Sequence, residues 1–439
     1  MPSKRETPRA AMNLWSVAAL GIGSMVGAGI FALLGQAAVM AGRDIFLSLL
    51  LGGIIALLSG HTFGRLAARY PSRGSVIDYL TEAFPGGTVA GTLSLVYLLT
   101  LIVTVAVVGK SFGVYTAHTF LADPSRPHVA DAFACAMVLA LAALNVLGSS
   151  AVGRAELLLV SIKLGILLLL IVASVPGFDT QRLTHERSAD LTALIASVGL
   201  TFFAYAGYGM MANAAASVSR PQTTIPRAIA LAITTVILLY LCLALVIMGN
   251  LAPEQLARDA NTAVAAAAAP VLGKIGVTVV SIGGVLATAS ASNATLFSIL
   301  NLVAAFAQKE PLRQNPRKPQ PRVPRGFVAA VVSVLALILF FPLDSIAKVA
   351  SITFLISYLA VFAAHWRLRR AAGGSMALVI LGALMMLAVL VGSLVSLGRT
   401  QPRALVLVVL MIAGSMAGAW VMRRAMLRHK SAAPRAQDK

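Results

Sequence analysis

Apolar residues run along this chain in twelve long stretches separated by short polar segments. The stretches are Met12 to Leu34, Ile45 to Ala68, Thr88 to Ala117, Ala130 to Leu147, Ala155 to Val175, Leu191 to Ala215, Ile225 to Met248, Val271 to Ala307, Val328 to Phe341, Ser345 to His365, Ser375 to Leu397 and Ala404 to Met422. At 1.5 Å per helical residue, most of them are long enough for a hydrocarbon core of about 30 Å. The pattern predicts an all-α integral membrane protein with twelve transmembrane helices.

Two stretches are interrupted near their middles. The first carries Gly21-Ile22-Gly23-Ser24-Met25-Val26-Gly27-Ala28-Gly29-Ile30-Phe31, and the sixth carries Phe202-Phe203-Ala204-Tyr205-Ala206-Gly207-Tyr208-Gly209. Each Gly weakens a helix by roughly 1 kcal/mol relative to Ala, and a freed peptide group in hydrocarbon costs several more unless protein or a solvated cavity satisfies it. Helices 1 and 6 are therefore expected to be unwound at mid-membrane, and paired breaks in equivalent halves point to a secondary transporter. The run Ser24, Met25, Val26, Gly27, Ala28, Gly29, with Ile22 just before it, offers backbone N–H groups at the start of a half-helix, where a carboxylate is favoured. Close helix packing is the competing explanation; it accounts for the small-xxx-small pair Gly23 and Gly27 but not for Gly21 and Gly29. In the second break, carbonyls near Phe203, Ala204 and Gly207 would accept from an ammonium, while the rings of Phe203 and Tyr208 close over an apolar side chain. An aromatic core is the plainer alternative there. A zwitterion satisfies both breaks.

Composition and charge sharpen this picture. Of the 439 residues 59% are hydrophobic and 11% charged, against about 25% charged in soluble proteins. The net charge of +20 would suggest nucleic acid in a soluble chain, but the cations sort by side: 24 of 35 Lys and Arg fall in segments facing the same side as the N-terminus, nine face the other way, and Lys110 and Lys163 lie within spans. The positive-inside rule then puts both termini in the cytoplasm of a cytoplasmic-membrane protein, with no nucleic-acid partner. The basic N-terminus precedes a run too long for a cleaved leader. Cys135 and Cys242 are isolated in apolar stretches, so neither a disulfide framework nor a metal site is expected. No His-Glu-x-x-His motif or paired intramembrane aspartate is found, so neither an enzyme nor a cofactor is expected.

The glycine-rich stretch Gly21 to Phe31, the run Thr201 to Gly209, Ser219-Arg220-Pro221-Gln222-Thr223-Thr224-Ile225-Pro226-Arg227-Ala228, Asn145-Val146-Leu147-Gly148 and Ala287-Thr288-Ala289-Ser290-Ala291-Ser292-Asn293-Ala294-Thr295 together resemble the amino acid-polyamine-organocation (APC) transporter superfamily over nearly the whole chain. The resemblance implies a leucine-transporter-like five-plus-five inverted repeat: residues 1–11 as cytoplasmic N-terminus, 12–175 and 191–365 as the two repeats, 375–422 as helices 11 and 12, and 423–439 as tail. The segment Gln308 to Arg325 reads as a cytoplasmic linker. The resemblance also implies alternating access to amino acids or their amines.

Lys163 stands in the aliphatic run Leu157 to Leu170. Snorkelling to the headgroups is one reading; the other turns its ammonium into the bundle. In similar family members a lysine on this helix takes the place of a sodium ion. By that analogy Lys163 would couple transport to protons by bridging the carbonyls around Gly21 and Ile22 to the hydroxyls of Ser290 and Ser292, with Ser292 also counted in the substrate site. Many relatives carry acidic residues where this chain has Gly209, Ala216 and Ser217, so a carboxylate relay on helix 6 is missing and a cationic substrate loses its counter-charge. Val103 and Val107 are candidates for the pocket wall, with core packing equally open. His61 and Lys110 read as a core histidine and a snorkelling lysine. The expected function is transport of a small neutral or apolar amino acid, coupled to protons through Lys163, with exchange without net proton coupling or nutrient sensing as alternatives.

Overall fold

A computed structural model describes residues 12–71, 76–85, 87–120, 127–147, 152–177, 189–309 and 323–432. The N-terminal segment 1–11, most of the Pro- and Arg-rich linker, Gly148 and the last seven residues lie outside the described residues.

Within them the chain is helical, with no strand. The helices are α1 (Leu14–Ala41), α2 (Ile45–Arg69), α3 (Val76–Ala83), α4 (Thr88–Phe120), α5 (Pro127–Leu147), α6 (Val152–Ser174), α7 (Leu191–Tyr205), α8 (Pro221–Asn250), α9 (Pro253–Arg258), α10 (Ala263–Ala266), α11 (Ala269–Lys309), α12 (Arg325–Phe340), α13 (Leu343–Arg367), α14 (Arg369–Ala372), α15 (Met376–Thr400) and α16 (Pro402–Ala432). Eleven of the twelve apolar stretches fall on one of them, and the sixth is shared between α7 and a 3-10 helix over Ala206–Ser217. Nine of the described helices are long and apolar enough to cross a membrane, or ten when the bent α1 is included. The ninth stretch is only 16 residues of helix, α12, and the fifth gives a short apolar helix over Leu158–Ser174. The first runs seven residues past its expected end at Leu34, to Ala41.

Local chemistry explains where several helices begin and end. Asn13 caps α1 by accepting from the Ser16 N–H at 2.9 Å, and Gly42, at φ 53°, ends it with its N–H on the Ala38 carbonyl. The Asp190 carboxylate accepts from the Ala193 N–H at 2.6 Å and starts α7. Pro221 opens α8 at a position where its missing N–H costs nothing.

The 33-residue α4, about 50 Å long at the standard rise, packs on α5, α11, α12, α13 and α16. Beside it α2 lies tightly along α8 through a glycine face. β-Carbons at Gly53, Gly60 and Gly64 would stand 2.6 Å from Ile237, 2.7 Å from Ile233 and 3.0 Å from Pro226. Bare glycine faces let backbones approach where lipid supplies no hydrophobic force between helices.

The two expected breaks take a different form from open, unwound backbone. α1 stays helical from Leu14 to Ala41 and bends by 48° between Leu14–Gly27 and Gly29–Ala41. In the sixth stretch α7 gives way at Ala206 to a 3-10 helix running to Ser217, and the first tightened bond is from the Ala206 N–H to the Phe203 carbonyl. Runs of 3-10 geometry beyond three or four residues are uncommon, and inside a helix they mark a hinge or strain. The physical reason for both shapes is contact. The bend and the junction press against each other, and hydrogen bonds stay closed within the chain instead of opening to a void.

Close contact also accounts for Gly21, Gly23, Gly27 and Gly29 of α1, including the two that packing was not expected to explain: Gly21 and Gly29 face the sixth span, Gly23 faces α6 and Gly27 faces α11. β-Carbons at Gly21, Gly23, Gly27 and Gly29 would collide with Met211 Sδ at 2.1 Å, Val160 Cγ2 at 2.3 Å, Ala291 Cβ at 3.0 Å and the Ala204 carbonyl oxygen at 2.3 Å. Met211 is a flexible side chain, whereas Ala204 is backbone and has no way to yield. Gly29→Ala is therefore expected to cost at least the 1–3 kcal/mol typical of overpacking. Gly165→Ala on α6, where a new β-carbon meets nothing within 4 Å, should shift stability by no more than about 1 kcal/mol. Thermal unfolding of the two variants in detergent compares them directly; equal melting temperatures would remove the α1–Ala204 contact from this account.

Candidate functional site

A cavity opens where the bend of α1 meets the start of the 3-10 segment. Ser24 lines it from α1; Phe203 and Ala204 from α7; Ala206, Gly207, Gly209 and Met210 from the 3-10 segment. Opposite stand Tyr97, Leu101 and Thr104 of α4, Ala291 and Thr295 of α11, and Phe354 and Tyr358 of α13. It holds about 560 Å³ of empty space including its open mouth. The lining is mostly apolar, with hydroxyls from Ser24, Thr104, Thr295, Tyr97 and Tyr358, and none of its residues is acidic.

Close backbone approach builds the floor. A β-carbon at Gly207 would lie 2.6 Å from the Met25 nitrogen and 2.8 Å from Ser24 Oγ, so only glycine lets the 3-10 segment rest on Ser24 and Met25. Ser24 Oγ sits 3.1 Å from the Met210 thioether sulfur.

Two tyrosines hold carbonyls of these two segments, and a third ties the junction to α2. The Tyr240 hydroxyl, fully buried on α8, lies 2.7 Å from the Met25 carbonyl and 3.2 Å from the Ala204 carbonyl, bridging α1 to α7 at the bend. Tyr358 donates to the Ala206 carbonyl at 2.8 Å, and Tyr205 to Leu49 on α2 at 3.2 Å. Sequence reasoning passed over Tyr240 and Tyr358. The available signal was chemical: a tyrosine in an apolar helix needs a partner for its hydroxyl.

Lys163 is 1% exposed, and its ammonium donates to the Gly23 carbonyl at 2.6 Å. It thus faces the bundle and reaches α1 within two residues of the expected carbonyls of Gly21 and Ile22. It also lies 3.5 Å from the point a Gly27 β-carbon would occupy. Ser290 is half-buried on α11. Ser292 Oγ is buried with no hydrogen-bond partner among the described residues, so the bridge from Lys163 to Ser292 is not made in this conformation.

Of the other expected site residues, Ser24, Phe203, Ala204 and Gly207 line the cavity. Met25, Val26, Gly27 and Gly29 are buried behind it in α1, and Gly21 and Ile22 lie a turn earlier. Ala28 marks the bend. Two expectations change. Val103 and Val107 are fully buried in the core, and α4 is rotated so that Leu101 and Thr104 reach the cavity. Tyr208 turns away from it and packs edge-on against Phe63 and Tyr358, with centroids 5.7 Å apart in both pairs. Phe203 does flank the cavity, stacked at 5.0 Å on Phe354.

The remaining titratable groups in spans have partners or neighbours of their own. Lys110 pairs with Asp131 of α5 at 3.0 Å and donates to the Phe341 carbonyl at 2.8 Å, which replaces snorkelling. His61 faces His365 of α13 with ring centroids 6.5 Å apart.

Membrane-length helices gathered round a small, largely apolar cavity, with two distorted helices meeting at its floor, define the class of membrane transport proteins. Residues 12–414 match the family described as amino acid permease, and the chain belongs to that family within the APC superfamily. It is 41% identical over 414 residues to the inner membrane transport protein YbaT of Escherichia coli K12, covering 94% of this chain and 96% of that one. An uncharacterized protein of Methanocaldococcus jannaschii is 30% identical across 86% of this chain and 87% of its own length. The vacuolar cationic amino acid transporter 2 of Arabidopsis thaliana is 26% identical, over 68% of this chain and 49% of its own.

Tyr240→Phe leaves two buried carbonyls without the shared hydroxyl. Such a loss is worth roughly 1–3 kcal/mol, so the variant should melt several degrees lower in detergent with its helix content unchanged. An unaltered melting curve would mean that the bridge contributes nothing.

Proposed function

We propose that this protein carries a small neutral or apolar amino acid across the cytoplasmic membrane by alternating access, with α1 and the sixth span as the moving pair. The observation that carries the reading is the cavity at the meeting of the α1 bend and the 3-10 junction, floored by Ser24 and Gly207. A carboxylate would take N–H groups of the Ser24 to Gly29 run once the bend opens, since in this conformation α1 stays helical through them. The substrate ammonium would turn to the carbonyls around the 3-10 junction, taking the place that the Tyr240 and Tyr358 hydroxyls hold on Ala204 and Ala206 in this conformation. Phe203, Leu101 and Phe354 leave room for a compact apolar side chain. The lack of an acidic residue in the lining favours a neutral substrate, even though a relative at 26% identity is named a cationic amino acid transporter. Twelve spans in a five-plus-five inverted repeat, with both termini cytoplasmic, form the frame of this reading. The Met12 N–H on the Ser217 carbonyl at 2.9 Å supports it by bringing the starts of α1 and the end of the sixth span to one side.

Proton coupling enters through Lys163. Its ammonium holds the Gly23 carbonyl one turn before the bend, so its charge state biases the position of α1. Sodium coupling is disfavoured because the amine fills that place. Exchange of one amino acid for another uses the same cavity without net proton movement, and nutrient sensing would use it without transport.

Counterflow of radiolabelled amino acids in proteoliposomes separates these readings. A carrier shows uptake stimulated by substrate on the far side, whereas a sensor moves nothing. Lys163→Ala is expected to abolish the pH dependence of uptake while still binding substrate in a thermal-shift assay; uptake that keeps its proton dependence would reject the coupling role.

A further inference from the structure

A second, smaller cavity lies away from the first, where the end of α1 meets α7, α13 and α15. Met40, Ala196, Leu200 and Ile352 supply its apolar wall, and Lys348, Ser351, Ser393 and Ser396 its polar one. Ser351 is 2% exposed and Ser393 6%. Neither hydroxyl has a hydrogen-bond partner among the described residues. Some buried serines, such as Ser174 and Ser415, donate to the carbonyl four residues back at 2.8 Å; Ser59, Ser111, Ser281 and Ser292 are unpartnered like Ser351 and Ser393, but none of those four lines this cavity. Ser351 and Ser393 instead converge on the bare Cα of Gly199, where a β-carbon would stand 2.9 Å from one oxygen and 2.7 Å from the other. An unpaired buried hydroxyl costs about 1–3 kcal/mol, so two on the wall of one cavity call for an occupant there that accepts from them.

The cation beside them sets the sign of that occupant. Lys348 is half-buried at the cavity, and among the described residues no carboxylate lies within ion-pair distance of it. Asp344, one turn earlier on α13, is engaged by Gln401 Nε2 at 2.5 Å and does not line the space. One ammonium and hydroxyl donors, with no acidic group facing them, suit a single negative charge. The empty space is about 260 Å³ including its mouth, under half that of the first cavity, which suits an ion better than an amino acid.

We propose that this cavity binds a small monovalent anion of the halide class, held by Lys348 and the hydroxyls of Ser351, Ser393 and Ser396. It ties the end of α1 and the start of the sixth span to α13 and α15.

The test is thermal unfolding of the purified full-length protein in detergent, with sodium chloride or bromide exchanged for sodium gluconate at constant ionic strength. A saturable rise in Tm with either halide is expected. The rise should be lost in Lys348→Gln and weakened in Ser393→Ala. Equal melting in halide and gluconate would overturn the proposal and leave water as the occupant, as would a full halide response in Lys348→Gln. Should that variant fail to fold, Ser393→Ala decides by the same comparison: an undiminished halide response there also rejects the site.

Discussion

Everything in the site depends on two backbones approaching where side chains would normally hold them apart. Gly29 lies on the Ala204 carbonyl and Gly207 on the Ser24–Met25 peptide, so α1 and the sixth span touch main chain to main chain at their distorted centres. In hydrocarbon such an approach holds only if every peptide group still has a partner. Tyr240 answers that demand by placing its hydroxyl between a carbonyl of each segment, and Tyr358 does the same for Ala206. The cavity is the space left beside this contact.

The same constraint explains why the helices bend and tighten instead of unwinding. A fully open stretch would leave several donors and acceptors to a ligand or to water, whereas a 48° bend and a 3-10 turn keep most of them satisfied internally. In the alternating access proposed above, a segment of this kind would switch between two packed geometries. Bistable packing of that sort is what converts a small local change into movement of a whole helix. Lys163 acts on the same element from the opposite side, through the Gly23 carbonyl. The Tyr240 bridge at Met25 and the Lys163 contact at Gly23 therefore bear on neighbouring residues of α1.

Much of this was legible in the sequence. The apolar stretches located the helices, because nothing but a helix closes its own hydrogen bonds across lipid, and the glycine clusters located the two distorted segments, because they sit where helix propensity argues against them. Lys163 stood out as a lone cation in an aliphatic run. The glycines were only half understood, however: Gly21 and Gly29 looked like marks of unwinding, whereas each faces a neighbour, Met211 and Ala204, that no local pattern identifies.

The sequence by itself determined the class of protein, the order of its helices and the two segments that matter, since these follow from hydropathy and backbone propensity, which are local properties. Only tertiary structure decided which face of each helix reaches the cavity. α4 presents Leu101 and Thr104, not Val103 and Val107, and Tyr208 joins the aromatic core with Phe63 and Tyr358. A helix that is apolar all round carries no amphipathic stripe to reveal its rotation. That rotation is set by close packing against neighbours hundreds of residues away.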